Sequence, residues 1–107
     1  MNELSTKQIA YLRGLGQRLE PMVHIGQAGL TDALIASVNQ ALDGHELVKV
    51  KFHALKEQKK QLAPELAQRT GSVLIQRVGH VAVLYRQQEN AAKRKIQIKP
   101  SDEPPVL

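Results

Sequence analysis

The sequence contains no cysteine and no tryptophan, and its only aromatic residues are Tyr11, Phe52 and Tyr85. Without cysteine there is no disulfide framework, no thiolate zinc site and no thiol nucleophile. So few rings argue against a sheet that stacks bases on outward aromatics and against an aromatic-lined oligonucleotide groove. Phe52 falls on the apolar face of its segment, and Tyr11 and Tyr85 read as partly buried packing residues. No apolar run approaches the roughly twenty residues of a membrane span. The start, M-N-E-L-S-T-K-Q, lacks the charged-then-apolar order of a signal peptide. The chain is therefore expected to be soluble and cytoplasmic, with no membrane partner.

Catalytic signatures are missing as well. His24, His45, His53 and His80 stand alone, with no HxxxH or HExxH pair and no carboxylate at ligand spacing. Ser5, Ser37 and Ser72 sit in no GxSxG elbow. Glu57 and Glu65 could share a helical face, where carboxylates in a lysine-rich stretch serve as charge partners. The expectation is a protein without catalytic residues, metal, cofactor or small-molecule substrate.

What is present begins with charge. The 107 residues make one domain with a modest core, and 15 Lys+Arg against 10 Asp+Glu leave a net +5 and a pI near 9.8. Five lysines (Lys49, Lys51, Lys56, Lys59 and Lys60) fall between Leu47 and Lys60 with a single acid, Glu57. A lysine run can be no more than a solvated face. Beside a basic total it points to a polyanion partner.

Local signals give the element order. Ser5 followed by Gln8 forms a capping box and Leu4 with Ile9 a hydrophobic staple, predicting a helix over Thr6–Arg18 whose exposed side carries Lys7, Arg13 and Arg18. Met22 to Ile25 reads as a buried strand. Thr31 is a good N-cap with Asp32 in the first turn, Leu34, Ile35, Val38, Ala41 and Leu42 make an apolar stripe, and Gly44 suits the C-terminal cap. Glu46 to His53 alternates, with Val48, Val50 and Phe52 on one face and Lys49 and Lys51 on a positive outer face. Lys56 to Thr70 reads as a helix with Leu55, Leu62 and Leu66 on one side; Pro64 either kinks it or begins a shorter one. Ser72–Val78 and Val81–Arg86 flank Gly79-His80 as a hairpin. From Gln87 the chain is polar and basic (Lys93-Arg94-Lys95), then carries Pro100, Pro104 and Pro105. It reads as a flexible tail over 87–107, in which Ile96 and Ile98 could add an edge strand. The fold class is α/β: a single compact domain in the order α-β-α-β-α-β-β, with a four-stranded mixed sheet and packed helices. Strands separated by helices are expected to be parallel neighbours through right-handed crossovers, and the hairpin antiparallel.

The turn Gly26-Gln27-Ala28-Gly29 joins a strand to a helix. It lacks the lysine and Ser/Thr of a P-loop, since Leu30 and Thr31 follow the second glycine, and it is not a GxGxxG. A nucleotide pocket is disfavoured. Two readings remain: a tight turn needing positive φ, or a turn whose amides, beside a positive helix N-terminus, meet a sugar-phosphate backbone.

Four segments, L-S-T-K-Q, V-H-I-G-Q-A-G-L-T, H-E-L-V-K-V-K and V-G-H-V-A-V-L-Y-R, occur here in the order seen in CRM domains, and over about Leu4 to Arg86 the chain resembles that family. CRM domains are the RNA-binding modules of chloroplast splicing factors and of stand-alone bacterial YhbY-type proteins. The resemblance implies a domain over residues 1–86 with a core similar to the C-terminal domain of translation initiation factor three. It also implies association with precursors of the large ribosomal subunit. Carried over, the GxxG loop is Gly26, Gln27, Ala28 and Gly29, the strand cations are Lys49 and Lys51, and the terminal motif is Leu84, Tyr85 and Arg86. Family loops often place a lysine or asparagine between the glycines; Gln27-Ala28 supplies no charge, so backbone amides and nearby lysines must meet the phosphates. The expected RNA-binding set is Gly26, Gln27, Ala28, Gly29, Thr31, Lys7, Arg13, Lys49, Lys51, Lys56, Lys59, Lys60 and Arg86, acting in a monomer on ribosomal RNA. The rival reading is a protein-interaction module on the ribosome or its assembly factors.

Overall fold

The computed structural model describes residues 4–98. The expected order is observed: α1 (Thr6–Gln17), β1 (Val23–Ile25), α2 (Asp32–His45), β2 (Leu47–Phe52), α3 (Lys59–Thr70), β3 (Val73–Val78) and β4 (Val81–Tyr85), with short 3-10 turns at Lys56–Gln58 and Ala91–Lys93. The four strands form one mixed sheet in the order β1-β2-β4-β3. β1 and β2 are the expected parallel neighbours, with His24 opposite Lys51. β2 and β3 are not adjacent: the returning hairpin strand β4 lies between them, antiparallel to both. The α3 crossover therefore skips one strand position, and the returning β4 fills it.

Both faces of the sheet are covered. On one, Val38 and Leu42 of α2 and Ala63, Leu66 and Ala67 of α3 pack on Ile25, Val48, Val50, Phe52, Ala82 and Leu84. On the other, Leu12 of α1 packs on Leu47, Ile75, Val83 and Tyr85. β4 is therefore apolar at every position, as a strand buried on both sides must be. α1 lies very close to the sheet: a Cβ on Gly16 would stand 3.0 Å from a Val83 methyl, so a side chain there would press on that valine. The Ser5–Gln8 capping box is complete, and Leu4 and Ile9 both join the second core.

Several local expectations are corrected. Lys49 and Lys51 do share a face, but α1 covers its Leu47 end, so Lys51 is exposed and Lys49 half-buried. Leu55 is not helical; it adopts φ +55 ahead of the 3-10 turn. Pro64 lies inside α3, not at its first position. α2 runs through Gly44 to His45, and the cap is Glu46 at φ 64. A non-glycine residue is strained there. The compensation is visible: the Glu46 side chain is 1% exposed, and its carboxylate accepts the backbone N–H groups of Gln88 (2.8 Å), Lys95 (2.6 Å) and Ile96 (2.9 Å). That anchor seats residues 88–98 on the body, with Ile96 and Ile98 packed in the second core rather than added to the sheet. Residues 99–107 of the expected tail, with Pro100, Pro104 and Pro105, lie outside the described residues. Tyr85 is wholly buried, and among the described residues its hydroxyl has no hydrogen-bond partner.

Candidate nucleic-acid interface

Strand direction decides which loops meet. β1 and β2 are parallel, so the glycine turn after Ile25 and the segment after Phe52 emerge at the same sheet edge. β4 runs against β2, which brings the Gly79-His80 turn there too: Phe52 N–H donates to His80 O at 2.8 Å. His53 and Ala54 donate to Ile25 O at 2.9 and 3.3 Å, tying the second loop to the first.

The two glycines are not equivalent. Gly29 has φ +71, its N–H donates to Gly26 O at 3.1 Å, and a Cβ there would be 3.3 Å from Leu55 Cδ1. Turn geometry accounts for Gly29. Gly26 has no positive φ, and a Cβ on it would meet nothing within 4 Å. The turn itself therefore does not require glycine at position 26. The exposed Gln27 and Ala28 carry amides that meet no acceptor among the described residues. Thr31 caps α2, its hydroxyl accepting the Leu34 N–H at 3.0 Å, which points the positive end of the α2 dipole to the same edge. From α3, Arg69 donates to Leu30 O at 3.2 Å and pairs with Asp32 and Glu65, bracing the loop.

Cations surround this turn. His24 and His53 face each other with Nδ1 and Nε2 2.6 Å apart and ring centroids 4.8 Å apart, so one ring donates and the other accepts. Partial desolvation lowers the His53 pKa below its usual 6.5, and His24, Lys51 and Lys56 lower it further. His80 is lowered in the same way, by desolvation and then by Lys59, Lys56 and Lys51. Lys51 and Lys56 bear on both rings and Lys59 on His80, so the three ammonium groups act on the same end of the sheet. Lys59 also bonds Gly79 O and lies 3.3 Å from His80 Nδ1, so that nitrogen accepts and the ring is neutral.

The structure thus gathers Gly26, Gln27, Ala28, Gly29, Thr31, Lys51, Lys56 and Lys59 at one edge, with Lys60 next along α3. Lys49 lies one pleat inward, in a shallow groove with Gly16, Gln17, Gln76 and Val78. Three residues are placed elsewhere. Arg13 Nε donates to Ile75 O of the outer strand β3 at 3.2 Å. Because α1 passes from Ile75 at Arg13 to Val78 at Gln17, Lys7 sits at the helix end away from the glycine turn. Arg86 is at the far end of β4, its guanidinium bonded to Asn39 Oδ1 (2.8 Å), Thr70 O (2.6 Å), Asn39 O (3.2 Å) and Asp43 Oδ1 (2.8 Å), so it latches α2 to the end of α3. His24, His53, His80, Leu55 and Arg69 were not expected at the edge. Their clue was the parallel pairing itself, which aligns His24 with Lys51 beside His53. Among the described residues no group of three His, Cys, Asp or Glu could hold a metal ion, and no helix is long and apolar enough to cross a membrane.

Three helices on a four-stranded mixed sheet thus set a glycine turn among lysines. The chain belongs to the CRS1/YhbY (CRM) domain family, whose model matches residues 4–86. It is 41% identical over 99 residues to a Haemophilus influenzae protein named "RNA-binding protein", covering 92% of this chain and 97% of that one. It is 33% identical over 85 residues to the "Probable RNA-binding protein YqeI" of Bacillus subtilis, covering 78% and 88%. The solution structure of a Staphylococcus aureus protein described as a candidate RNA binder superposes with a TM-score of 0.73 at 31% identity, covering 89% of this chain and all of that one.

Proposed function

We propose that the protein is a non-catalytic RNA-binding domain that associates with large-subunit ribosomal RNA precursors during ribosome assembly, as a cytoplasmic monomer. The observation that supports this most strongly is the convergence of the Gly26–Gly29 turn, the α2 N-terminus and Lys51, Lys56 and Lys59 on one edge. Phosphate oxygens accept from the Gln27 and Ala28 amides, the helix dipole favours their charge, and the lysines supply the field. Gly26, which the turn does not require, leaves room for a backbone to approach.

The test is binding to a fragment of large-subunit ribosomal RNA across a salt series. Neutralising about four phosphates predicts a slope of log affinity on log salt of roughly −3 to −4. Gly26→Asp is the informative variant, because the site is open and its φ is ordinary: affinity is expected to fall at least about tenfold with melting unchanged. Gly29→Ala, by contrast, should cost about 1 kcal/mol of stability or more. A slope near zero, or a Gly26→Asp chain that binds equally well, refutes the grip. Co-sedimentation with precursor rather than mature large subunits, lost on nuclease treatment, tests the assembly role; retention after nuclease would favour a protein partner.

A further inference from the structure

The two sides of α1 differ in chemistry. Leu12 and Gly16 face the sheet. Facing away, Lys7, Tyr11, Gly14 and Arg18 follow one another at spacings of four, three and four, and all are exposed. At about 100° per residue these positions fall within one strip roughly 60° wide and about 16 Å long. Tyr11 is 47% exposed, one of two large apolar side chains so exposed among the described residues, although the sequence reads it as a packing residue. Thr6 to Arg18 includes Lys7, Arg13 and Arg18 and no carboxylate. Gly14 is the anomaly. It lies inside a helix, where glycine is less favourable than alanine, yet a Cβ there would meet nothing within 4 Å. Internal packing does not ask for it.

We infer that this strip is a second RNA contact, for an unpaired nucleotide whose base stacks on Tyr11. The sugar-phosphate chain passes over Gly14, where a missing side chain lets it approach the helix backbone, and Lys7 and Arg18 meet the flanking phosphates. An aromatic ring between cations, with no acid on the helix, suits a stacked base on a polyanion. The strip is also continuous with the basic edge, since α1 ends at Gln17 in the groove that holds Lys49. Arg13 lies outside it, bonded to Ile75 O. The inference rests on the RNA-binding reading and deepens it: the preferred RNA carries a loop or bulge rather than a plain duplex.

The experiment uses the full chain and two labelled RNAs, a stem-loop with an unpaired loop and a blunt duplex of the same stem, read by fluorescence anisotropy. Tyr11→Ala should weaken stem-loop binding about tenfold and leave the duplex within about twofold, while Tyr11→Phe restores the natural affinity. Gly14→Ala should raise the melting temperature and still weaken the stem-loop, a pairing that a merely structural glycine would not produce. Loss of less than about twofold on the stem-loop, or an equal loss on both RNAs, overturns the inference. If the natural chain binds both RNAs and Tyr11→Ala changes neither, only the strip is refuted; if it binds neither, the RNA reading falls and the strip with it.

Discussion

Glu46 is the residue whose removal should cost the domain most for its size. Its carboxylate is buried and holds three backbone N–H groups of the segment 88–96, while its own backbone is held at φ 64. A hydrogen bond to a charged acceptor contributes about 1.5–3 kcal/mol. Three bonds in one network do not add, and release of the segment regains chain entropy. A net loss of about 3 kcal/mol for Glu46→Ala follows, which for a domain of this size lowers Tm by about 12–24 °C. Glu46→Gly loses the same bonds but relieves the positive φ, and should recover about 1 kcal/mol of that loss. Thermal melting by circular dichroism measures all three chains. In a chain ending at Arg86, Glu46→Ala should cost under about 1 kcal/mol, because the amides it serves are gone. A full-length Glu46→Ala that melts within about two degrees of the natural chain, or an undiminished cost in the shortened one, would refute the anchor.

Tyr85 and the edge histidines give two further expectations. Burial first, and then the Glu46 carboxylate, push the Tyr85 hydroxyl from 10 up to about 12. The folded state therefore keeps the proton longer, and the stability that this contributes is present below pH 10 and is lost as pH rises through about 12. Tyr85→Phe should remove that loss and, by deleting a buried unpartnered hydroxyl, leave the neutral-pH Tm unchanged or higher; pH-dependent melting decides. His53 and His80 are both held below the usual 6.5, so the neutral rings predominate at pH 7 and the protonated forms accumulate as pH falls below that range. RNA affinity should strengthen over that acid range and do so much less in a His53→Asn/His80→Asn chain, as binding isotherms at a fixed salt concentration would show.

Much of this architecture was legible because the signals are local. The Ser5–Gln8 box, the Thr31 cap and the Gly79-His80 hairpin each depend on residues within a few positions, and all three are found. What escaped depends on partners far along the chain. Gly44 looked like a cap because nothing near it shows that Glu46 will be held by amides some forty to fifty residues later. Arg86 carried a charge suited to phosphate, but Asn39, Asp43 and Thr70 claim it once α2 and α3 are in place. The histidines looked solitary because only the pairing of β1 with β2 brings His24 to His53. The glycine turn was visible from the start; that Gly29 serves the backbone and Gly26 does not emerged only with the dihedral angles.

The contact between Gly16 and Val83 has a mechanical meaning. With 3.0 Å between a would-be Cβ and the valine methyl, glycine lets α1 sit closer to the sheet than a side chain at position 16 would without Val83 giving way. The outer strip of α1 and the glycine edge are thus carried by one sheet, like the two jaws of a gauge. An RNA that touches both must bring the matching bend and spacing itself, so shape rather than base sequence would sort the strands that fit.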